Sequence, residues 1–258
     1  MVKFKQPGFS SRTFRVAAGT VERQYDIGQG NFNLPLEDKG DPKYRCNFAQ
    51  GNYFGYRAAH EKKVMRMDDL DNVESANIPK FISAYENEPF YPFFHQYRAD
   101  IENFSQRSLE LAAKHLYEEK SEDFLRYMIY WLRSPEDDRK VENTWSRAHN
   151  DFGSLTLPWS QKIAGLQLKT LSGEWKYVPP VDNGIICNVG NTLDFWSAGY
   201  LKSTTHRVVR PPRDQSHIHR LGLFYFVRAG DEVDISPPLR PCSSALVASE
   251  MIRRLQHL

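Results

Sequence analysis

Apolar positions recur near helical spacing in the first half of the chain and give way to short alternating runs in the second. Over 20–33, Val21, Tyr25, Ile27 and Phe32 form a partly apolar stripe. With Thr20 as a cap and Pro35 as a stop, that stripe predicts a helix. "FAQGNYFGYRAA" (48–59), with Gly51 and Gly55 among aromatics, reads as a tight loop between packed elements. The clearest helix lies within 90–117, where Phe94, Tyr97, Ile101, Phe104, Leu109, Ala112 and Leu116 share one face and charges occupy the other.

From about residue 124 the period shortens. "FLRYMIYWLR", "SLTLPW", "GLQLKTL", "EWKYVPP", "GIICNVGNTLDFW", "STTHRVV" and "HRLGLFYFVR" read as strands. Ser172-Gly173, Pro179-Pro180, Asn183-Gly184 and Pro211-Pro212 punctuate them. Many short strands with such punctuation predict a sandwich, jelly roll or barrel. "SSALVASEMIRRLQHL" closes the chain as an amphipathic helix capped by Ser243 or Ser244. No internal repeat or low-complexity tract interrupts the pattern. One domain over 1–258 is expected: a helical and irregular part (1–120), a β core (121–240) and a terminal helix (241–258).

Composition narrows the partners. With 40% hydrophobic and 26% charged residues and a net charge of +2, this is an ordinary globular chain without the basic excess of a nucleic-acid binder. Three widely spaced cysteines, Cys46, Cys187 and Cys242, lack any C-x-x-C spacing, which points to a reducing, cytoplasmic location. The start has no apolar signal-like region and no run of about 18 apolar residues occurs, so no membrane partner is expected. The oligomeric state stays open.

The candidate chemistry begins at His149-Asn150-Asp151. On a strand, residues i and i+2 point to one side, so this histidine and aspartate could both reach one ion. A polar turn explains the same triplet, since a chain with eight histidines yields about half an H-x-D match by chance. His206, in the β-branched run "KSTTHRVVRPP", is either a third ligand or a packed strand histidine. Arg220 opens the apolar run "RLGLFYFV". Such an arginine is either exposed at a strand start or buried as a clamp for a carboxylate. Alternation sends Phe224 and Phe226 to its side of the strand. His217 and His219 read as loop or strand-entry residues, and Tyr53 and Phe54 as weaker substrate-side candidates.

Taken in order, "HNDFGSLTLPW", the stretch "GLQLKTLSGEWKYVPPVDNGIICNVGNTLDFWSAGYLKSTTHRVVRPP" and "RLGLFYFV" resemble the isopenicillin N synthase-like branch of the Fe(II)/2-oxoglutarate-dependent oxygenases. "DIGQGNFNLPLEDKGDPKYRCNFAQGNYFGY" resembles the region upstream of that family's barrel. The similarity spans about residues 20–240. It implies a mainly β fold with flanking helices around a double-stranded β-helix (jelly-roll) core. It implies His149, Asp151 and His206 as both the catalytic and the Fe(II)-ligating residues, and Arg220 as the partner of the distal carboxylate of 2-oxoglutarate. The implied reaction uses dioxygen to hydroxylate, desaturate or ring-close a small organic molecule, as in secondary metabolism, releasing succinate and CO2.

Three departures qualify the resemblance. The family's R-x-S has Gly222 for its serine, removing a hydrogen bond worth about 1.5–3 kcal/mol when made to a charged group. The tyrosine that ends the strand before H-x-D aligns with Ser134. "GFSSRTFRVAAGTVERQY" resembles the family's second strand and following helix, so an upstream strand is expected to be missing. Two alternatives follow: an iron-dependent oxidase that does not use 2-oxoglutarate, and a non-catalytic truncated binding protein of the same fold.

Overall fold

The computed structural model describes residues 5–230 apart from 7–8, 14–17, 65–68, 114–120 and 183. Its strands are β1 (Lys5–Gln6), β2 (Phe9–Thr13), β3 (Gly55–Arg57), β4 (Val73–Pro79), β5 (Phe124–Tyr130), β6 (Thr144–His149), β7 (Leu155–Pro158), β8 (Leu166–Lys169), β9 (Trp175–Tyr177), β10 (Gly184–Val189), β11 (His206–Val209) and β12 (Arg220–Val227). The helices are α1 (Ala18–Phe32), α2 (Leu36–Lys39), α3 (Pro92–His95), α4 (Arg98–Ala113), α5 (Pro135–Lys140) and α6 (Asn191–Trp196). Eight strands form one sheet in the order β1-β2-β10-β7-β12-β5-β4-β3, and four form a second in the order β6-β11-β8-β9. All strand pairs are antiparallel. This is the expected jelly-roll core with flanking helices.

Period-two alternation in β5 and β12 divides the large sheet into two faces. Leu125, Tyr127, Ile129, Leu223, Tyr225 and Val227 are almost wholly buried and join Ile27 of α1 and Ile101 and Phe104 of α4 in the main core. The Tyr127 hydroxyl donates to Gln24 Oε1 at 2.5 Å, tying α1 to the sheet. The alternate residues, Arg126, Met128, Tyr130, Arg220, Phe224 and Phe226, line a cavity. Phe224 and Phe226 therefore lie on Arg220's side, as alternation predicts.

Several elements differ from the sequence pattern. Among the described residues, four strands precede residue 120. In β4, "VESANIP" hides its strand character because its buried positions include polar residues with partners. Glu74 meets Lys39 Nζ at 2.6 Å and accepts from the Tyr56 hydroxyl at 2.8 Å and the Trp131 indole at 2.7 Å. The predicted loop at 48–59 contains edge strand β3. The predicted helix over 90–117 turns at Gln96 and Tyr97 and resumes as α4. Thr20 sits inside α1, which starts at Ala18. Past Val189 the expected strand turns at Gly190 into α6. β2 followed by α1 matches the strand-and-helix reading of the N-terminal stretch. The closing helix, Cys242, His115 and His257 lie outside the described residues. No helix among the described residues is long and apolar enough to cross a membrane.

Candidate metal and cosubstrate site

His149 and His206 are direct partners in the β6–β11 ladder, with ring centroids 4.4 Å apart. Asp151 is not on a strand: β6 ends at His149, and the aspartate lies in the following turn. The shared-face expectation for H-x-D is thus corrected. The turn brings the carboxylate round because Asn150 is clamped to the approach of β11, donating to Ser203 Oγ and accepting from Thr205 Oγ1, each at 2.8 Å. Gly190 packs over the same turn so closely that a Cβ there would lie 2.0 Å from the Gly153 carbonyl oxygen. Any side chain would displace the turn.

The result is a three-residue cluster whose potential ligand atoms all lie within 4.8 Å of one another. Asp151 Oδ1 is 3.7 Å from Nε2 of each histidine. Each Nδ1 is taken by a backbone carbonyl, His149 with Arg147 O at 2.8 Å and His206 with Thr204 O at 3.1 Å. Donation there selects the tautomer whose Nε2 carries a free lone pair. Asp151 Oδ2 accepts from Thr156 Oγ1 at 2.7 Å and from Asn188 Nδ2 at 2.6 Å, which turns Oδ1 to the histidines. Burial pushes the Asp151 carboxyl up, but His206, Thr156, His149 and Asn188 outweigh it, and the net shift is downward. His149 is 40% exposed, toward the cavity it lines. Loss of solvation and the adjacent His206 lower its pKa, favouring the neutral ring a metal needs. Two imidazoles and one carboxylate on one side of an open cavity are a donor set suited to ferrous iron.

Arg220 lines the same cavity, which has a volume of about 720 Å³. It is 5% exposed, and its Nε and one Nη have no hydrogen-bond partner. Burial lowers its pKa, opposed by Tyr130 and Tyr25. An unpaired buried guanidinium is costly, and a carboxylate supplies what it lacks. Tyr130 stands directly opposite Arg220 in the β5–β12 ladder, its ring 5.5 Å from the guanidinium.

The alignment of Ser134 with the strand-ending tyrosine is corrected by this geometry. Ser134 caps α5, accepting from Asp137 N at 3.0 Å, and does not line the cavity, whereas Tyr130 ends β5 and does. The loss of the serine at 222 also has a local counterpart. A Cβ on Gly222 would lie 2.9 Å from Gln161 Nε2 and 2.4 Å from the Phe224 ring. The Phe224 ring and the Gln161 amide nitrogen therefore crowd the space that the hydroxyl-bearing side chain would take.

Asn188, Thr156, Tyr130 and Gln161 escaped the sequence reading. The one available signal was Asn188, a polar residue inside the apolar run "GIICNV". His219 accepts from Leu132 N at 3.1 Å and packs edge-on against Trp131, consistent with a strand-entry role. Phe48 lines the cavity; Tyr53 and Phe54 do not, Phe54 packing instead on Tyr85 and Phe124.

A family model described as the 2OG-Fe(II) oxygenase superfamily matches residues 123–229, a span containing all three clustered residues and Arg220. Over that span the chain is similar to the superfamily. Its members use Fe(II), 2-oxoglutarate and dioxygen, the set the cluster and the buried arginine suit. Among curated relatives, 1-aminocyclopropane-1-carboxylate oxidase 2 of Malus domestica is 30% identical over 179 residues, 65% of this chain and 52% of that protein. Homoarginine-6-hydroxylase 2-ODD-233 of Oryza sativa is 34% identical over 104 residues, 40% of this chain and 30% of that protein. The chain thus spans about half the length of the apple oxidase. In three dimensions it resembles a full-length Neurospora crassa protein crystallised in complex with alpha-KG. The TM-score is 0.74 at 23% identity, covering 90% of this chain and 79% of that one. At that identity the likeness concerns the fold.

Proposed function

We propose that this protein is a non-haem Fe(II)- and 2-oxoglutarate-dependent dioxygenase that oxidises a small organic molecule by hydroxylation, desaturation or ring closure. His149, Asp151 and His206 would hold the iron, and Arg220 would pair with the distal carboxylate of 2-oxoglutarate. When bound, these groups supply the oxidising chemistry: dioxygen is consumed, 2-oxoglutarate leaves as succinate and CO2, and a substrate C–H bond is oxidised. The protein's own work is positional. Arg147 O and Thr204 O fix the imidazole tautomers, Thr156 and Asn188 aim the carboxylate, and the buried Arg220 and the Gln161 amide orient the diacid. Phe224 and Phe226 wall the cavity against water.

The observation that carries this reading is the disposition of unsatisfied atoms. Two Nε2 lone pairs and one carboxylate oxygen converge at one place, and a partnerless guanidinium faces the same cavity. That guanidinium favours 2-oxoglutarate over the oxidase alternative, which needs no diacid. Membership of the isopenicillin N synthase-like branch, a role in secondary metabolism and a cytoplasmic location belong to the same proposal. The branch rests on the H-x-D, S-T-T-H-R-V-V and R-x-G order, and the location on an odd number of widely spaced cysteines without C-x-x-C spacing.

Anaerobic addition of Fe(II) and 2-oxoglutarate is expected to give a weak visible charge-transfer band that His206→Ala abolishes. Absence of the band from wild-type protein, with iron demonstrably unbound, overturns the proposal. Succinate release coupled to turnover excludes the oxidase alternative.

A further inference from the structure

The cavity carries more positive charge than iron and 2-oxoglutarate account for. Among the described residues its lining includes six cations, Arg57, Lys62, Lys63, Arg126, Arg147 and Arg220, against two carboxylates, Asp71 and Asp151. The whole chain has a net charge of only +2, so positive charge is concentrated here. On the reading proposed above, a ferrous dication and a 2-oxoglutarate dianion cancel, and the excess remains.

Its focus is Arg126, half-buried in the cavity wall. Asp71 is occupied by Arg57 at 2.8 Å. Arg126 has no carboxylate within ion-pair distance among the described residues; its Nε donates to Asn77 Oδ1 at 2.7 Å. The rings of Phe226 and Phe124, 4.6 and 5.1 Å from the guanidinium carbon, hold the group in place. Its pKa is lowered, chiefly by burial, to about 10, so it stays charged at neutral pH. Arg126 pairs with Phe224 in the β5–β12 ladder, four residues along from the Arg220–Tyr130 pair. That offset is about 13 Å of strand, so the two arginines stand at separate positions along the cavity wall. Phe48, Met128, Phe224 and Phe226 supply apolar surface in the same cavity.

We infer that the oxidised substrate is a small carboxylic acid with an apolar or aromatic body, its carboxylate held by Arg126 and its body resting against Phe224 and Phe226. Arg126 is thus a specificity-determining residue, separate from the 2-oxoglutarate clamp at Arg220.

The test is equilibrium binding, followed by quenching of the cavity tryptophans Trp145 and Trp159, with protein saturated by Mn(II) and 2-oxoglutarate. The probes are matched acid and amide pairs: benzoate with benzamide, phenylacetate with phenylacetamide, hexanoate with hexanamide. A charge-assisted contact predicts that at least one acid binds about tenfold or more tightly than its amide. Arg126→Met should erase the advantage and Arg126→Lys should retain part of it, with thermal melts confirming that both variants fold. Equal binding of acids and amides to wild type, or an acid preference that survives Arg126→Met, overturns the inference alone. Failure of 2-oxoglutarate itself to bind in the loading step overturns the underlying functional reading and the inference with it.

Discussion

At the scale of single residues, the site is organised by which polar atoms are already paired. Each histidine commits Nδ1 to a backbone carbonyl and Asp151 commits Oδ2 to Thr156 and Asn188, so the remaining donor atoms point at one another. The same accounting identifies Gln161. Its amide nitrogen would lie 2.9 Å from a Cβ at Gly222, two residues along the strand from Arg220, where it can donate to a carboxylate. Gln161→Leu is therefore expected to weaken 2-oxoglutarate binding about tenfold, the value of one hydrogen bond to a charged group. Binding of 2-oxobutyrate, which lacks the distal carboxylate, should be nearly unchanged. Isothermal titration of metal-loaded protein with the two acids checks this, and equal losses for both would count against it. H-x-D and His206 were legible in the chain because ligands must be histidine or carboxylate whatever surrounds them. Gln161 was not, because the space it crowds belongs to a strand about sixty residues away.

At the scale of elements, strands β6 and β11, which carry His149 and His206, are held by short helix α5. Asp138 on that helix is fully buried, accepts from the Trp145 indole of β6 at 2.8 Å and pairs with Arg210 just past β11. Asp138→Ala should cost about 3–5 kcal/mol, since it strands a largely buried guanidinium, and should loosen the His149–His206 register. Urea unfolding measures the first effect and Co(II) titration the second; an unchanged unfolding midpoint would show that α5 does not brace the site. "SPEDDRK" already signalled such a helix, with Ser134 as cap, Pro135 at the first position and acids in the first turn. Hydrophobic pattern found β5, β7, β8, β11 and β12 because one or both faces of each are apolar. It missed β4, whose Glu74 and Asn77 are buried against Lys39, Tyr56, Trp131 and Arg126 rather than against hydrocarbon.

At the scale of the whole molecule, the large sheet gives one face to α1 and α4 and the other to a charged cavity. Arg220 is a standing electrostatic cost in the ligand-free protein, and on the proposed function the clustered His149, Asp151 and His206 gain partners only on metal binding. Binding should therefore stabilise the fold. Metal and 2-oxoglutarate present at about a hundredfold above their dissociation constants should each add about 2.7 kcal/mol. For a chain of this size that is a rise of about 5–10 °C in Tm per ligand. Thermal melts with metal alone, 2-oxoglutarate alone and both together check this. The increment from 2-oxoglutarate is expected to depend on metal, and a larger increment without metal would contradict shared occupancy of one site.

The sequence by itself determined the donor set His149, Asp151 and His206, the arginine opening β12, and the two-faced character of that strand. These follow from residue chemistry and from the period of two, both of which are local. Only the tertiary structure decided that Asp151 arrives from a turn, that Tyr130 rather than Ser134 stands beside Arg220, that the Phe224 ring and Gln161 crowd the space at Gly222, and that Arg126 lines the cavity with no carboxylate among the described residues in ion-pair range. Each of those depends on register between distant strands and on which buried polar atoms remain unpaired. Neither is encoded in the spacing of residues along a single element.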